Sequence, residues 1–584
     1  MRPLVPEGTD PRSYERAVLG VIGLALLASF TSLANGFAYD DRWIIVENDT
    51  VHNIAHWWNA FGDTYWPAIR NGALYRPLTI LGFILQWAAG GGTPLVFHVM
   101  NVVLYAALCA LVYALALQVL PRRAAWVAAA LYAVHPVHVE AVGNVVGQGE
   151  LWAAISLVGG TAIYLAARRD GLAVDRETKG LIVAVYLLGA LFKENAIVLP
   201  ALLVVAEAFA VRDTRPWRVR ASELGSLLVW LAFVAGIVFA IRVWVTGDAA
   251  GDTEHPALRG LGMAQRTWVM LALVPEFGRL LVWPAQLYAD YSPRHVPVLT
   301  TLAPGHAAGA LLLLCLAVLA IVSARRFPFV TFALAWIAVC LAPVANILIP
   351  TGILIAERTL LVPSVAVVLL AGSLVPWIEQ RLAGLRREWS TVAAGALAVV
   401  LMLGAAKSAE RQLTWKDSDT VFDTMIEDEP LSFKAHYASG GRLFDEHRPR
   451  DAEREWRYAI ALFPSYYAVY QDLAHRYREA HICPAAIPLY QKALELEPDL
   501  PLTRAGLAAC YLEVAEFRRA RTVSREAIAW GFYRKAFEYI IERADSALAA
   551  NDSLDGANRW QGKASRREAP SILQPIRPDD QRHW

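Results

Sequence analysis

Apolar residues in this chain come in long blocks separated by short polar stretches, from about residue 17 to residue 406. The blocks run roughly 17–34, 95–118, 124–135, 149–167, 180–192, 195–211, 223–245, 306–323, 329–349, 359–377 and 390–406. Most reach the roughly 18 residues a helix needs to cross the hydrocarbon core of a bilayer. The third and fifth are shorter and are expected to continue as broken helices into polar, buried segments. A further stretch, 266–288, is interrupted by Pro275, Glu276, Arg279 and Pro284 and reads as an interfacial or re-entrant helix. The pattern predicts an all-α fold: a polar N-terminus over 1–16, then a polytopic domain over 17–406 with about eleven transmembrane helices. Small residues in Leu33-Ala-Asn-Gly-Phe-Ala38 would suit a cleaved signal peptide, but a retained signal-anchor helix is expected because the later spans need a first helix to set their direction.

The basic residues orient these spans. Arg122-Arg123, Arg168-Arg169 with Arg176 and Lys179, the group Arg212, Arg215, Arg218 and Arg220, Arg325-Arg326, and Arg381, Arg386 and Arg387 fall in alternate loops. The positive-inside rule makes those loops and the N-terminus cytoplasmic. The intervening segments 36–73, 136–148, 193–194, 246–305 and 350–358 then face the other side, as does whatever follows the last span.

Past the last block the period changes. Pro430, Pro464 and Pro498 recur every 34 residues, and so do Ala452, Ala486 and Ala520, Ala459, Ala493 and Ala527, and Tyr477 and Tyr511. That period marks tetratricopeptide repeats, in which small residues let two helices approach while Trp456 and Tyr490 fill the gap beside them. A repeat domain over 415–550 is predicted, with about three repeats at 433–532 after a half repeat at 415–429. Residues 551–584 are polar and are expected to be a disordered tail.

Composition agrees with this outline. Hydrophobic residues are 56% of the chain and mean hydropathy is +0.37, which excludes a soluble enzyme of this length. Net charge is +1 and no basic run resembles a nucleic-acid site. The five cysteines form no metal-ligand spacing; Cys109, Cys315 and Cys340 fall in apolar spans, while Cys483 and Cys510 can pair if the repeats face an oxidising compartment.

The chemistry gathers in the loops on the non-cytoplasmic side. Asp40 and Asp41 stand side by side in Gly36-Phe-Ala-Tyr-Asp-Asp-Arg-Trp43, where like charges at a desolvated edge raise at least one pKa. Arg76 opens a helix at Tyr75-Arg-Pro-Leu-Thr79; His135, His138 and Glu140 lie in Ala133-Val-His-Pro-Val-His-Val-Glu140; Lys193 and Glu194 follow Leu191-Phe192. Asp290-Tyr291-Ser292 and Glu357-Arg358 complete the set. Ionisable groups at membrane depth are costly, so one shared cavity explains them better than separate packing or capping roles. Such a cavity suits a lipid-phosphate donor, with Arg or Lys gripping phosphate, apolar helices holding a polyprenyl tail and a carboxylate deprotonating the incoming hydroxyl. That is glycosyl transfer with inversion. Asp41 with His135 or His138 would also hold a divalent metal, although a reaction without one is preferred.

The Tyr39-Asp-Asp-Arg start, the Tyr75-Arg-Pro-Leu-Thr helix and the Ala133-to-Val142 segment resemble the TMTC-type O-mannosyltransferases, and so do Phe192-Lys-Glu-Asn, Ala289-Asp-Tyr-Ser and Glu357-Arg-Thr-Leu-Leu-Val-Pro363, in the same order. The resemblance covers about residues 15–545 and includes bacterial relatives. It implies a GT-C-type membrane domain joined to a lumenal or periplasmic tetratricopeptide α-solenoid, a polyprenyl-phosphate-sugar donor (mannose) and a protein acceptor presented by the repeats. By position it makes Asp40 or Asp41 the base, lines the pocket with Glu140, His135 and His138, and gives phosphate to Lys193, Arg358 or Arg76. The repeat array is short for the family, and its usual Lys-Glu-Ser or Lys-Glu-Gly turn reads Lys-Glu-Asn here. Two other readings stand beside the enzyme: a non-catalytic, membrane-anchored repeat scaffold for partner proteins, and a transporter or lipid-linked glycan polymerase. The last would place polar groups near the midplane rather than at the outer ends.

Overall fold

The computed structural model describes residues 10–67, 74–247, 255–291, 301–383, 387–528 and 534–553, together with Leu4. Among these residues every regular element is helical. The chain divides into two compact units, Met1–Pro430 and Leu431–Trp584.

In the first unit proline sets where many helices begin. Pro77, Pro94, Pro304, Pro328 and Pro363 each occupy the first helical position, where a fixed φ is already helical and the missing N–H has no partner to lose. Seven helical stretches among the described residues are long and apolar enough to cross a bilayer: Pro11–Ala34, Pro94–Val119, Val145–Ala167, Trp217–Thr246, Pro304–Arg326, Pro363–Leu382 and Ser390–Trp415. Arg122–Ala133 and Pro136–Gly143, bent by 51°, make an eighth if counted as one span. The protein is therefore a multi-pass membrane protein. The other expected blocks give shorter helices, Arg176–Phe192, Leu199–Phe209 and Pro328–Leu341. The first two flank a break where Lys193 turns extended (φ −158°, ψ 140°) and Glu194–Val198 tightens to a 3₁₀ turn. The block pattern also passed over Pro77–Gly90, a 14-residue apolar helix closed by Gly91 in the left-handed region. The 266–288 stretch folds as one helix, Met263–Val282, running through Pro275 and burying Val269, Leu273 and Leu280.

The centre of this unit is built on small residues. Ala124, Ala125, Ala128, Ala129 and Ala133 are all fully buried, so neighbouring helices close to backbone contact. A side chain at Gly372 would meet the Ala124 carbonyl oxygen at 2.7 Å, which is why that crossing needs glycine. Burial falls off outward: 83% of the Val145–Ala167 span is buried against 17% of Trp217–Thr246 and 11% of Pro304–Arg326. Those two helices face their surroundings with Trp244, Leu311, Ile321 and Val322, as lipid requires.

Helix Gln148–Ala167 spans about 30 Å, the thickness of a hydrocarbon core. It carries Glu150 at one end, and Arg168 caps the other. Arg168 is sunk in an ion network, 2.8 Å from both Glu207 and Asp213. Glu207 also accepts from Arg220 at 2.7 Å and from the Tyr164 hydroxyl at 2.7 Å. Of the basic residues that mark this side in the sequence, Arg168 and Arg220 therefore tie helices together.

The second unit is three helix pairs, Phe433–Asp445 with Pro449–Leu462, Tyr467–Glu479 with Cys483–Leu496, and Pro501–Glu513 with Phe517–Ile528, followed by Arg534–Ser553. The 34-residue alanines are buried, and Gly506 leaves room for Tyr490, whose hydroxyl would lie 2.5 Å from an added Cβ. His447, His481 and Ala515 recur at the same period and all hold positive φ, at 61°, 57° and 62°. They turn the chain between the helices of each pair without glycine. Cys483 and Cys510 form a disulfide joining the second and third pairs. The expected half repeat folds as Ser418–Asp428 within the first unit. Most of the tail expected to be disordered lies outside the described residues, and 551–553 continue the last helix.

Three stability measurements follow. Glu207→Ala removes the buried acid that Arg168, Arg220 and Tyr164 share, leaving Asp213 as the close carboxylate of Arg168, and is expected to cost about 3 kcal/mol, read as a lowered unfolding midpoint in detergent. Arg123→Ala, which removes an exposed pair with Glu379, should change stability by less than about 1 kcal/mol. In the repeats, Ala515→Gly relieves a left-handed strain of about 1 kcal/mol and should raise the midpoint of the second transition.

Candidate active site

The site begins with a turn. Tyr39 takes φ +55°, and the Asp41 N–H bonds back to the Ala38 carbonyl at 3.0 Å. This separates the two acids: Asp41 is fully buried and Asp40 stays partly exposed. Both Asp41 oxygens are engaged. Oδ1 accepts from the Val146 N–H at 2.9 Å, and Oδ2 accepts from the Ala38 N–H at 3.0 Å and the Val145 N–H at 3.4 Å. Burial pushes the Asp41 carboxyl up to about 7, with Asp40 adding to the rise while the three backbone donors oppose it.

The Val145–Val146 donors are held from behind. Asn101 donates to the carbonyls of Val142 and Asn144 at 3.2 and 3.1 Å, and Gln148 donates to Asn101 and Gln86 at 3.0 and 3.1 Å. A polar network inside three apolar helices thus fixes one short segment, Val142–Gly147, against the aspartate turn.

Around Asp40 lie three cations, each paired with a carboxylate from another part of the chain. Arg76 bonds Glu194 through Nε at 2.9 Å and through Nη2, and its guanidinium lies 4.7 Å above the Tyr65 ring. Lys193 Nζ is 2.7 Å from Glu150 Oε1. Arg358 meets Glu140 with its backbone N–H at 2.8 Å and with its guanidinium. Burial opposes charge on Arg358, but Glu140, Asp40, Glu150 and Tyr39 together hold it firmly cationic. Burial and the neighbouring Arg76 draw the Lys193 ammonium down despite Glu150. Burial would raise Glu194, yet Arg76 holds it at about 2. Each group therefore feels the next, and Asp40, Asp41, Arg76, Glu140, Lys193, Glu194 and Arg358 form one polar cluster.

Glu357 stands at its edge. It accepts from the Tyr288 N–H at 2.7 Å and the Tyr291 hydroxyl at 3.0 Å, with Arg411 4.0 Å away. Burial pushes its carboxyl up to about 8, with Arg411 opposing and Glu140 adding to the rise. Asp290 is buried next to Tyr291, and Ser292 lies outside the described residues.

The histidines sit elsewhere than expected. His138 is buried between the Tyr105 hydroxyl at 2.9 Å and the Ser364 hydroxyl at 2.8 Å, and His135 bonds the Leu281 carbonyl at 3.2 Å. Both ring nitrogens of His138 are used inside the helix core, so it does not reach the carboxylate cluster. Asp41, His135 and His138 share no partner, and among the described residues no three His, Cys, Asp or Glu side chains are grouped to hold a metal ion.

Three participants escaped the sequence reading. Glu150 and Tyr65 were hidden in segments that look like structure, although an acid in an apolar block is itself a signal. Arg411 was passed over as the polar end of a span. A cavity of about 430 Å³ also opens among helices Pro77–Gly90, Pro94–Val119, Gln148–Ala167 and Arg176–Phe192, lined by Leu81, Leu85, Met100, Trp152 and Phe192. Its wall residues Gln148 and Phe192 stand two residues and one residue before Glu150 and Lys193 in the chain.

No protein-family model matches the chain. It is 23% identical over 508 residues to protein O-mannosyl-transferase TMTC3 of Homo sapiens, covering 82% of this chain and 55% of that protein. Protein O-mannosyl-transferase TMTC4 of Homo sapiens is 24% identical over 76% of this chain and 66% of its own length. Protein O-mannosyl-transferase Tmtc1 of Drosophila melanogaster reaches 38% identity over 185 residues, 30% of this chain and 21% of that protein. The chain thus spans about half the length of the first of these relatives. Among solved structures, one described as the crystal structure of the APC/C hetero-tetramer Cut9-Hcn1 aligns over 80% of this chain and 89% of its own at 15% identity, with a TM-score of 0.24 that bears no argument. Over most of its length, this chain is similar in sequence to the TMTC protein O-mannosyl-transferases.

Proposed function

We propose that this chain is a GT-C-type membrane glycosyltransferase that moves a sugar, mannose by its resemblance, from a polyprenyl-phosphate donor to a hydroxyl of a protein or glycan acceptor. In this reading the acceptor oxygen attacks the anomeric carbon as the bond to phosphate breaks. Configuration inverts, the hydroxyl proton goes to an aspartate and the lipid phosphate leaves. The observation that carries the reading is the split pair of aspartates. Asp41 has no exposure and accepts from three backbone N–H groups, whereas Asp40 is half-buried, can be reached from solvent and lies within the field of Arg358. Asp40 is therefore the base, and Asp41 positions it. The apolar cavity beside Glu150 and Lys193 suits a prenyl chain.

The alternation of basic loops supports a site and a repeat unit on the non-cytoplasmic, periplasmic side. The helix pairs of the second unit suit an acceptor protein. One observation favours the competing scaffold reading: Arg76, Lys193 and Arg358 are each already matched by a carboxylate.

Asp40→Asn separates the two. With the full chain in nanodiscs and a polyprenyl-phosphate mannose donor, turnover should fall at least about 100-fold with an unchanged unfolding midpoint. An unchanged rate would leave the scaffold. Asp41 makes a second, pH-dependent test. Its carboxyl rises from 3.8 to about 7 on folding, so its contribution to stability is full at acid pH and is lost as pH climbs through about 7. Infrared titration of the protonated carboxyl band should show a group with that midpoint, missing in Asp41→Asn and shifted down in Asp40→Asn.

A further inference from the structure

Arg76, Lys193 and Arg358 each meet a carboxylate oxygen at 2.5 to 2.7 Å, so each already has its charge matched within the protein. Arg411 is differently placed. Its Nη1 is taken by Asp428 at 3.2 Å and Thr414 at 3.4 Å, whereas Nε and Nη2, which form the other edge of the guanidinium, have no hydrogen-bond partner. The side chain is only 7% exposed. Glu357 comes no closer to Nη2 than 4.0 Å. The Nε–Nη2 edge is the fork that accepts two oxygens of a phosphate or carboxylate side by side.

More unpaired donors belong to the same region. Trp415, one helical turn beyond Arg411, has an unpartnered Nε1 and is 1% exposed; Asn144 is fully buried with both amide atoms unpartnered. Gly143 ties these elements together, since a Cβ there would lie 2.5 Å from Gln412 Oε1, itself unpartnered, and 3.2 Å from the Trp415 ring. Val145 and Val146, which follow Asn144, hold Asp41. A buried guanidinium edge, an indole N–H and a carboxamide N–H thus lie unsatisfied in one part of the fold, beside the unpartnered acceptors Gln412 Oε1 and Asn144 Oδ1, and buried donors without partners are what an incoming oxyanion would satisfy.

We infer that the Nε–Nη2 edge of Arg411 is the seat of a phosphate oxyanion, with Asn144 and Trp415 as neutral donors beside it. Within the glycosyltransferase reading, on which this assignment of the ligand rests, that oxyanion is the lipid phosphate as it departs. Arg76, Lys193 and Arg358 then serve as fasteners of the loops. Arg411 would be a substrate-binding residue that a search for charge pairs in outer loops overlooks, because it lies within the last span.

The test is calorimetric titration of the full chain in detergent with farnesyl phosphate and, separately, with inorganic phosphate. Arg411→Lys keeps the charge but loses the fork, and should weaken farnesyl phosphate by about 10–100-fold with an unchanged unfolding midpoint. Glu357→Gln removes a competing carboxylate and should tighten it by at least about threefold. Unchanged binding in Arg411→Lys overturns the assignment. If that variant does not fold, unchanged or weaker binding in Glu357→Gln overturns it instead. Wild-type protein that binds inorganic phosphate through Arg411 but ignores farnesyl phosphate keeps the anion seat and removes the lipid-donor reading. Wild-type protein that binds neither overturns both.

Discussion

A charge carried into a membrane protein must find a counter-charge or enough hydrogen bonds, and the first unit is organised by that requirement. Glu140 and Arg358 are 218 residues apart, Arg76 and Glu194 are 118 apart, and each pair closes to hydrogen-bond distance. Lys193 and Glu150 link the break after one helix to the start of another. Such pairs add little net stability compared with apolar replacements, because desolvation consumes most of the attraction. What they enforce is register, since a helix displaced by one turn would strand two charges at once. The ion network of Arg168, Glu207, Asp213 and Arg220 does the same at the opposite end of the Gln148–Ala167 helix. The membrane domain is fastened at both ends by ions and filled between them by alanine and glycine.

That arrangement separates a sealed acid from a half-buried one. Asp41 accepts three backbone hydrogen bonds and is sealed from solvent, which fixes the turn. Asp40, one residue on the other side of the turn, keeps some exposure and lies in the field of Arg358. Two adjacent acids that the sequence presents as equivalents are given different environments by the left-handed Tyr39 between them and Ala38. The raised Asp41 carboxyl is a consequence of this sealing, not evidence that Asp41 handles protons in turnover.

The helical character, the long spans and the 34-residue repeats were legible because each rests on local periodicity. Positions set by partners distant in sequence were not. The spacing around His135 and His138 looked like a ligand pair, yet tertiary contacts with Tyr105, Ser364 and Leu281 absorb both rings. Glu150 was invisible as a partner because nothing near it in sequence announces Lys193. The turns at His447, His481 and Ala515 lacked the glycine that usually flags a left-handed residue, although the repeat period locates them once one is seen. The helix that opens at Arg76 was legible, but its apolar course over Pro77–Gly90 was not counted among the blocks because 14 residues fall below the length used to recognise a span. It nevertheless supplies a wall of the apolar cavity.

The polar clusters therefore divide by what their donors have left to give. Arg76, Lys193 and Arg358 stand in the loops where charge was expected, and each is paired with a carboxylate. Arg411 stands at the end of an apolar helix, where charge looks like mere termination, and its Nε and Nη2 have no hydrogen-bond partner. A binding group must be desolvated in advance yet incompletely satisfied, because only then does the ligand supply bonds that the protein cannot make for itself. By that criterion the outer-loop cations describe how the site is built. The unpartnered edge of Arg411, with Asn144 and Trp415, describes where a substrate anion has something to gain.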